Sequence, residues 1–382
     1  MVAVMMFVKE FKPLPVGGAE IQAERLSAYL ARGDNPVVII TRRAEGLPAW
    51  EEKEGVQIVR VGAWGRGKLQ AVFFTLSAAL TALRMGKTFD VFHAHLEFSA
   101  AMAAILAGRI LGKPVIVKYG SSGASSEMQA SRRTWWGRLR LMFLRRWADL
   151  HIALTKEMET ELRQHGFAPE RIVRMVNGVD ANLFAPTPDK ALAKSALGIS
   201  DRILAVYIGR LTALKALPAL LSALARLADA LPRLHLLLVG QGEERQALES
   251  LAVDLGIEQR LTFAGAVQDV IPYLRAADIF VLPSLGEGIS NSLLEAMSCG
   301  VACIATRVGG SADALDGGEC GVLVEPNNVD QLASALWRLA AEPREAARLG
   351  LKARQRILDQ YDFDAVGRQY LALYRRLLGI PS

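Results

Sequence analysis

The stretch Pro283-Ser284-Leu285-Gly286-Glu287-Gly288-Ile289-Ser290-Asn291-Ser292-Leu293-Leu294-Glu295-Ala296-Met297-Ser298-Cys299-Gly300 decides the reading of this chain. The apolar run from Ile279 to Leu282 ends at a Pro-Ser turn, and a glycine-bracketed loop then carries one carboxylate, Glu287. A helix is expected to open near Ser290, with a second carboxylate, Glu295, one turn in. Strand, glycine-rich turn, helix start and two acids suit a phosphorylated, polyhydroxylated ligand. Backbone N–H groups and the helix dipole at such a start favour phosphate oxygens. Carboxylates accept strong hydrogen bonds from hydroxyls.

Outward from this stretch, apolar runs alternate with helical patterns. Strands are expected near 2–8, 36–40, 56–61, 90–93, 114–118, 150–153 and 172–175, with helices at 18–32, 69–85, 97–111 and 133–147 among them. Alternation of this kind is βαβ logic and favours a mostly parallel sheet covered on both faces. The stretch Asn177 to Asp189, with Gly178, Pro186 and Pro188, reads as an interdomain linker. A second series follows, with strands near 203–208, 234–239, 260–264, 279–282, 301–305 and 321–324. Residues 361–379 form an amphipathic pattern with Val366, Tyr370, Leu371, Tyr374 and Leu377 on one face. The fold class is α/β, with two doubly wound Rossmann-like domains facing a central cleft. The expected domains are 1–185 and 186–360, followed by a terminal helix, 361–382. Ligands of such sheets bind at the carboxyl ends of the strands.

A length of 382 residues suits two cores rather than one. Cys299, Cys303 and Cys320 lack metal spacing and read as buried small hydrophobes. The N-terminal run reads as a first strand rather than a secretory leader, and no apolar stretch is read as reaching the roughly 18 residues of a membrane span. A cytoplasmic chain is therefore expected. The net charge is +6, and the segment holding Arg132, Arg133, Arg138, Arg140, Arg145 and Arg146 has no acid between Glu127 and Asp149. That excess is too local for a general nucleic-acid binder. With Trp135, Trp136 and Trp147, the segment suits an anionic membrane interface or acceptor, against the plainer reading of a solvated helix with inward Trp side chains.

Other constellations sit at strand ends. Gly209-Arg210-Leu211-Thr212-Ala213-Leu214-Lys215 follows an apolar strand, and its two cations suit a diphosphate. Gly17-Gly18-Ala19-Glu20 lies at the mouth of a helix, where glycine permits close backbone approach. Asp90 to His95 ends a strand on which His93 and His95 are expected to face opposite sides, which argues against a shared metal. Lys118-Tyr119-Gly120-Ser121-Ser122-Gly123 forms another polar strand-end loop. Asp362-Phe363-Asp364 spells D-x-D but suits a helix cap rather than a metal.

In order, these motifs resemble the family-4 retaining glycosyltransferases of GT-B architecture over nearly the whole chain. The resemblance runs through Gly17 to Glu20, Asp90 to His95, Asn177-Gly178-Val179-Asp180 with Phe184, Gly209-Arg210 with Lys215, and Glu287 with Glu295. Val308-Gly309-Gly310 and Gly321 to Val324 close it. It implies a C-terminal helix crossing back to the first domain, an acceptor-binding first domain and a donor-binding second domain. The co-substrate implied is a nucleotide-diphosphate sugar, a UDP- or GDP-sugar, with no cofactor and no metal. Arg210, Lys215 and Glu287 take the catalytic roles. Gly17, Gly18, Gly209, Val267, Gly288, Ile289, Ser290, Asn291 and Glu295 bind donor, with Glu295 on the ribose, Glu287 on the sugar, and the base near Gly240 and Val267. His95, Tyr119 and Glu20 are the candidate acceptor contacts. The implied acceptor is a glycan or lipid-linked hydroxyl, in polysaccharide or glycolipid synthesis, with peripheral association at the inner face of an anionic membrane. A non-catalytic nucleotide-sugar or glycan-binding module and a sugar-nucleotide epimerase of the same fold are the alternatives. Three departures stand out: Tyr119 occupies the place of a family His, Ala216 follows Lys215 where glycine is usual, and the first loop carries Lys9, Lys12, Pro13 and Pro15. Ala216 is expected to fit a helix start.

Overall fold

In the computed structural model, which describes residues 1–14, 17–96, 99–121, 128, 131 and 134–381, the chain forms two compact units. The first runs from Met1 to Gly178 and takes back Phe363 onward; the second holds Val179–Asp362.

The first unit is built on β1 (Val4–Phe7), β2 (Val37–Arg42), β3 (Trp50–Lys53), β4 (Val56–Val61), β5 (Val91–His95), β6 (Val115–Lys118), β7 (Leu150–Ala153) and β8 (Ile172–Arg174), in the order β3-β4-β2-β1-β5-β6-β7-β8. Between them lie α1 (Gly18–Arg32), α2 (Gly67–Met85), α3 (Ser99–Leu111), α4 (Trp135–Trp147) and α5 (Lys156–Gln164). Strands such as β1 and β6 are buried along their whole length, so they are continuous apolar runs rather than alternating ones. All pairings are parallel except β3 with β4. Sequence patterning misses β3 because Glu51, Glu52 and Lys53 give it no apolar face. A two-residue turn makes it, with Glu54 and Gly55 at φ 53° and 76°, and the buried Arg60 holds Glu51 at 2.8 Å.

The second unit is a six-stranded parallel sheet of β9 (Ile203–Ile208), β10 (Leu234–Val239), β11 (Leu261–Gly265), β12 (Ile279–Leu282), β13 (Ala302–Thr306) and β14 (Val322–Val324), ordered β11-β10-β9-β12-β13-β14. Its helices are α6 (Lys190–Ala196), α7 (Leu217–Arg226), α8 (Arg245–Asp254), α9 (Ile271–Ala276), α10 (Asn291–Ser298), α11 (Gly310–Ala314), α12 (Val329–Ala341) and α13 (Pro343–Arg356). Cys299, Cys303 and Cys320 are free and buried, as small hydrophobes.

The chain then returns as α14 (Phe363–Leu377), which buries Phe363, Val366, Tyr370, Leu373 and Tyr374 in the first unit's core. Each such side chain contributes about 1.5–3 kcal/mol of transfer free energy. The crossing point explains the Asn177 to Asp180 motif. The buried Gln22 amide brackets Gly178, donating to its carbonyl at 2.8 Å and accepting from its N–H at 3.0 Å. A Cβ on Gly178 would lie 2.5 Å from the Phe363 ring. One residue later Val179 bridges Asp362 within the second unit. The division therefore falls at 178/179 and 362/363, where the chain crosses twice, rather than at the expected 185/186 and 360/361. Phe184 belongs to the second unit, its carbonyl accepting from Arg354 at 3.3 Å. Asp362 and Asp364 stand at the mouth of α14, with Asp364 in its first turn.

Candidate active site

In both sheets the chain works outward from one strand, then returns to work outward on the other side. The switch points lie between β1 and β5, and between β9 and β12. Loops that diverge there leave a crevice at the strand carboxyl ends, where such folds bind ligands. The sequence motifs sit on these loops.

In the second unit, β9 ends at Ile208, Gly209 turns the chain, and Arg210 follows with an exposed side chain. Its carbonyl accepts from the buried Tyr207 hydroxyl at 2.7 Å, which anchors the backbone beneath the guanidinium. Burial raises the Tyr207 pKa, and Glu287 adds to the effect. Lys215 closes a short 3-10 turn and reaches Glu287, 72 residues later, in a close ion pair. The Ser284 hydroxyl donates to the same carboxylate oxygen at 2.7 Å. A backbone bond from Leu285 to the Leu214 carbonyl, 2.8 Å, ties the two loops together. Both partners of the ion pair are about seven-eighths buried, with side-chain exposures of 14% and 13%.

Neighbouring loops lock this arrangement. Gly309 has φ 47°, and a Cβ there would lie 1.8 Å from the Glu287 carbonyl oxygen. Gly310 donates to the Gly288 carbonyl at 2.8 Å. Ser290 caps α10 by accepting from Leu293 N–H at 3.4 Å, which sets the helix start beside Gly288 and Ile289. Asn291 opens the helix, and Glu295 lies one turn further, 7% exposed. Gly240 and Val267 follow β10 and β11 at the same end of the sheet, with Gly240 N–H donating to the Gly265 carbonyl. Arg210, Lys215, Glu287 and the α10 start therefore share one edge, and Glu295 rises behind them.

Ala216 corrects an expectation. It adopts φ 46°, ψ 38°, the left-handed region that glycine enters freely and alanine does not. The departure from glycine therefore places strain directly after Lys215.

In the first unit, Gly17 caps α1 and Glu20 turns back to accept its N–H at 3.0 Å. Glu20 and His95 line a cavity of about 270 Å³ with Lys9, Glu10 and Ser99. His93 and His95 do not face opposite sides. Side chains two apart on a strand share a face, and the rings stack at 4.4 Å. His93 Nδ1 pairs with the Tyr374 hydroxyl of α14 at 2.7 Å. Burial drives His93 down to about 3 and His95 well below its ordinary value; it also pushes the neighbouring Lys118 ammonium down to about 7. Lys118 lies under the Tyr370 ring, 5.3 Å from its centroid. Tyr119 is not among the cavity's lining residues. It is 2% exposed, its hydroxyl 3.0 Å from His151 Nδ1 and its ring against Phe167. His95 ends β5 and Tyr119 follows β6, and a place at a strand's carboxyl end does not by itself fix whether a side chain faces the cavity or the packing. Pro15 of the first loop, Ser122-Gly123 of the third and Arg132 and Arg133 of the basic segment lie outside the described residues. Among the described residues, no three His, Cys, Asp or Glu side chains converge as a metal would require.

A profile described as Glycosyltransferase Family 4 matches residues 16–183, and one described as Glycosyl transferases group 1 matches 202–342. The D-inositol 3-phosphate glycosyltransferase of Nocardiopsis dassonvillei is 30% identical over 370 residues, 88% of this chain and 84% of its own. The GDP-mannose-dependent alpha-(1-6)-phosphatidylinositol monomannoside mannosyltransferase of Mycolicibacterium smegmatis is 33% identical over 206 residues, 51% of this chain and 54% of its own. With that relative the chain spans about half its partner's length. Among solved structures, HepE of Anabaena in complex with UDP-glucose has the same fold, with a TM-score of 0.82 at 20% identity over 99% of this chain and 100% of that one.

Proposed function

The chain belongs to Glycosyltransferase Family 4, and we propose that it moves a sugar from a nucleotide-diphosphate sugar to a glycan or lipid-linked hydroxyl, with retention and without a metal. The observation that carries this reading is the Lys215–Glu287 pair beside Arg210 on the β9 and β12 loops. In this reading the second unit binds a UDP- or GDP-sugar and the first binds the acceptor. Arg210 offers a planar fork to the diphosphate. Lys215 has three N–H donors, so it can keep Glu287 and still meet a phosphate oxygen. Together the two cations stabilise the charge that builds on the departing diphosphate, the largest kind of contribution an active site makes. Glu287, oriented by Lys215 and Ser284, accepts from sugar hydroxyls. Glu295 accepts from the ribose hydroxyls. Backbone groups of Gly209, Gly288, Ile289, Ser290 and Asn291 line the sugar and phosphates, and Val267 flanks the base. Gly17 and Gly18 are the first unit's part of the donor set.

The two carboxylates are donor-holding acceptors here, not the acid–base pair of glycoside hydrolysis. The acceptor hydroxyl attacks the anomeric carbon on the face the diphosphate leaves, and its proton passes to the departing phosphate oxygen. Glu20 and His95, on one cavity, are the acceptor-side candidates. Tyr119, the third candidate, is buried against His151 and Phe167, so in this reading it supports the end of β6 rather than touching the acceptor. The cytoplasmic face of a membrane is the proposed place of action. A lipid-linked acceptor is supported by the name of the mycobacterial relative.

Donor hydrolysis tests the reading. Purified protein with UDP-glucose or GDP-mannose, without added metal and with chelator, is expected to release the nucleoside diphosphate slowly. Arg210→Ala should weaken donor binding by about 1.5–3 kcal/mol, the worth of a lost charged hydrogen bond. Wild-type donor affinity in this variant would refute the assignment.

A further inference from the structure

The first unit carries an apolar face that its own fold does not use. Helix α2 buries Phe74, Ala78 and Ala82, spaced four apart, and packs on α3, β2 and β4. Its opposite side is also apolar: Leu69, Val72, Leu76 and Leu80 are 56%, 54%, 52% and 55% exposed. A helix apolar all round is normally covered all round. By length and composition α2 could cross a membrane, contrary to the sequence expectation that no stretch is long enough. Its packed stripe ties it to the sheet instead, so the exposed face is available to lie against something.

Helix α4 supplies the other wall. Trp135, Trp136, Leu139 and Met142 are exposed, and the two indoles stack at 3.7 Å. Between α2 and α4 runs a groove of about 930 Å³, lined by Val72, Leu76, Met142 and Phe143, with Arg145 and Arg146 among its lining residues. That volume is in the roughly 300–1,000 Å³ range of sites that enclose a small molecule. Arg146 lies over the Trp147 ring at 4.6 Å. The charge at this face has one sign: Arg140, Arg145 and Arg146 line the groove, with no acid among its described lining residues.

Apolar walls, exposed Trp side chains and a cationic surround match the acyl–headgroup boundary of an anionic bilayer. A second copy of this chain fits less well, because a two-fold contact would set the same positive face against itself. We propose that the α2–α4 face docks on an anionic phospholipid bilayer, with one lipid acyl chain in the groove and Arg145 and Arg146 on headgroup phosphates. This rests on, and deepens, the membrane part of the proposed function, and it is independent of the sugar-transfer part.

The test uses the full chain with phosphatidylcholine vesicles made with and without phosphatidylglycerol. Co-sedimentation is expected only with phosphatidylglycerol, falling as salt rises. Phosphatidylglycerol with brominated acyl chains should quench Trp fluorescence, less so in Trp136→Phe. The pair Val72→Glu and Leu76→Glu should weaken binding about tenfold or more, the weight of an aliphatic side chain withdrawn from an apolar site. Arg145→Glu with Arg146→Glu should do the same and flatten the salt dependence. Thermal melting and donor hydrolysis should remain at wild-type values in the Val72/Leu76 variant. Failure to bind phosphatidylglycerol vesicles at low salt would overturn both docking and peripheral association. Salt-sensitive binding that ignores Val72→Glu and Leu76→Glu and shows no bromine quenching would overturn the groove and leave an electrostatic association. A concentration-dependent dimer broken by those same changes would make the face a self-interface and overturn the proposal. Absence of donor hydrolysis would count against the transferase reading alone.

Discussion

The Lys215–Glu287 pair makes a quantitative prediction, because stability and donor binding draw on the same contact. In Lys215→Met the Glu287 carboxylate keeps the Ser284 hydroxyl, at 2.7 Å, but loses its cation. Removing one partner of a fully buried pair costs about 3–5 kcal/mol. Here both side chains retain 13–14% exposure, so water recovers part of the loss and about 1–3 kcal/mol is expected. Glu287→Gln should cost less, since an amide keeps one acceptor for Ser284 and leaves no buried anion. If the pair is the link, the double variant should cost less than the two single changes together, by about 1–2 kcal/mol. Urea unfolding of the four proteins measures this. Titration calorimetry with UDP-glucose or GDP-mannose gives the second axis: Lys215→Met should weaken donor binding about 10- to 150-fold, equivalent to about 1.5–3 kcal/mol. Additive stabilities, with coupling under about 0.3 kcal/mol, would show that the contact does not join the β9 and β12 loops energetically. Unchanged donor affinity with coupled stabilities would make the pair purely structural.

Three further outcomes are expected. Ala216→Gly should raise stability by up to about 1 kcal/mol in thermal or urea unfolding, because relief of left-handed strain is partly offset by the greater freedom of glycine in the unfolded chain; destabilisation would mean the backbone there is unstrained. Gly309→Ala should cost about 2–4 kcal/mol and weaken donor binding, since its Cβ would meet the Glu287 carbonyl at 1.8 Å and its φ is 47°; a neutral result in both assays would contradict the close approach. The histidines predict acid sensitivity. His93 is held near 3 and His151 near 3, both below the unfolded value, so the unfolded chain binds their protons first. Their contribution is complete above about pH 6.5 and is lost as pH falls toward 3, by at most about 1.4 kcal/mol per pH unit for each. Urea midpoints in that window should fall less steeply for His93→Asn than for wild type.

Much of this was legible in the sequence because parallel strands buried on both faces are continuous apolar runs. That is why thirteen strands stand close to their expected places while β3, a charged edge strand, went unread. The site residues were legible for a related reason. Glycine, cation and carboxylate in a strand-to-helix loop betray chemistry because ordinary turns do not require them together. The two-residue period of a strand sets His93 and His95 on one face, so their stacking is legible in the sequence itself.

By itself, then, the order of residues determined two α/β units, the loops that carry Arg210, Lys215, Glu287 and Glu295, and the helix start at Ser290. Only tertiary structure decided which of these meet. The Lys215–Glu287 contact spans 72 residues, the Gly309 backbone presses on Glu287 from another loop, and Gln22 clasps Gly178 from 156 positions away. Local sequence specifies backbone preference and side-chain chemistry, but partner choice depends on which strand ends the sheet order brings together. For the same reason, only the fold could turn Tyr119 inward to His151 and leave the apolar back of α2 facing outward, for both depend on what packs on the other side.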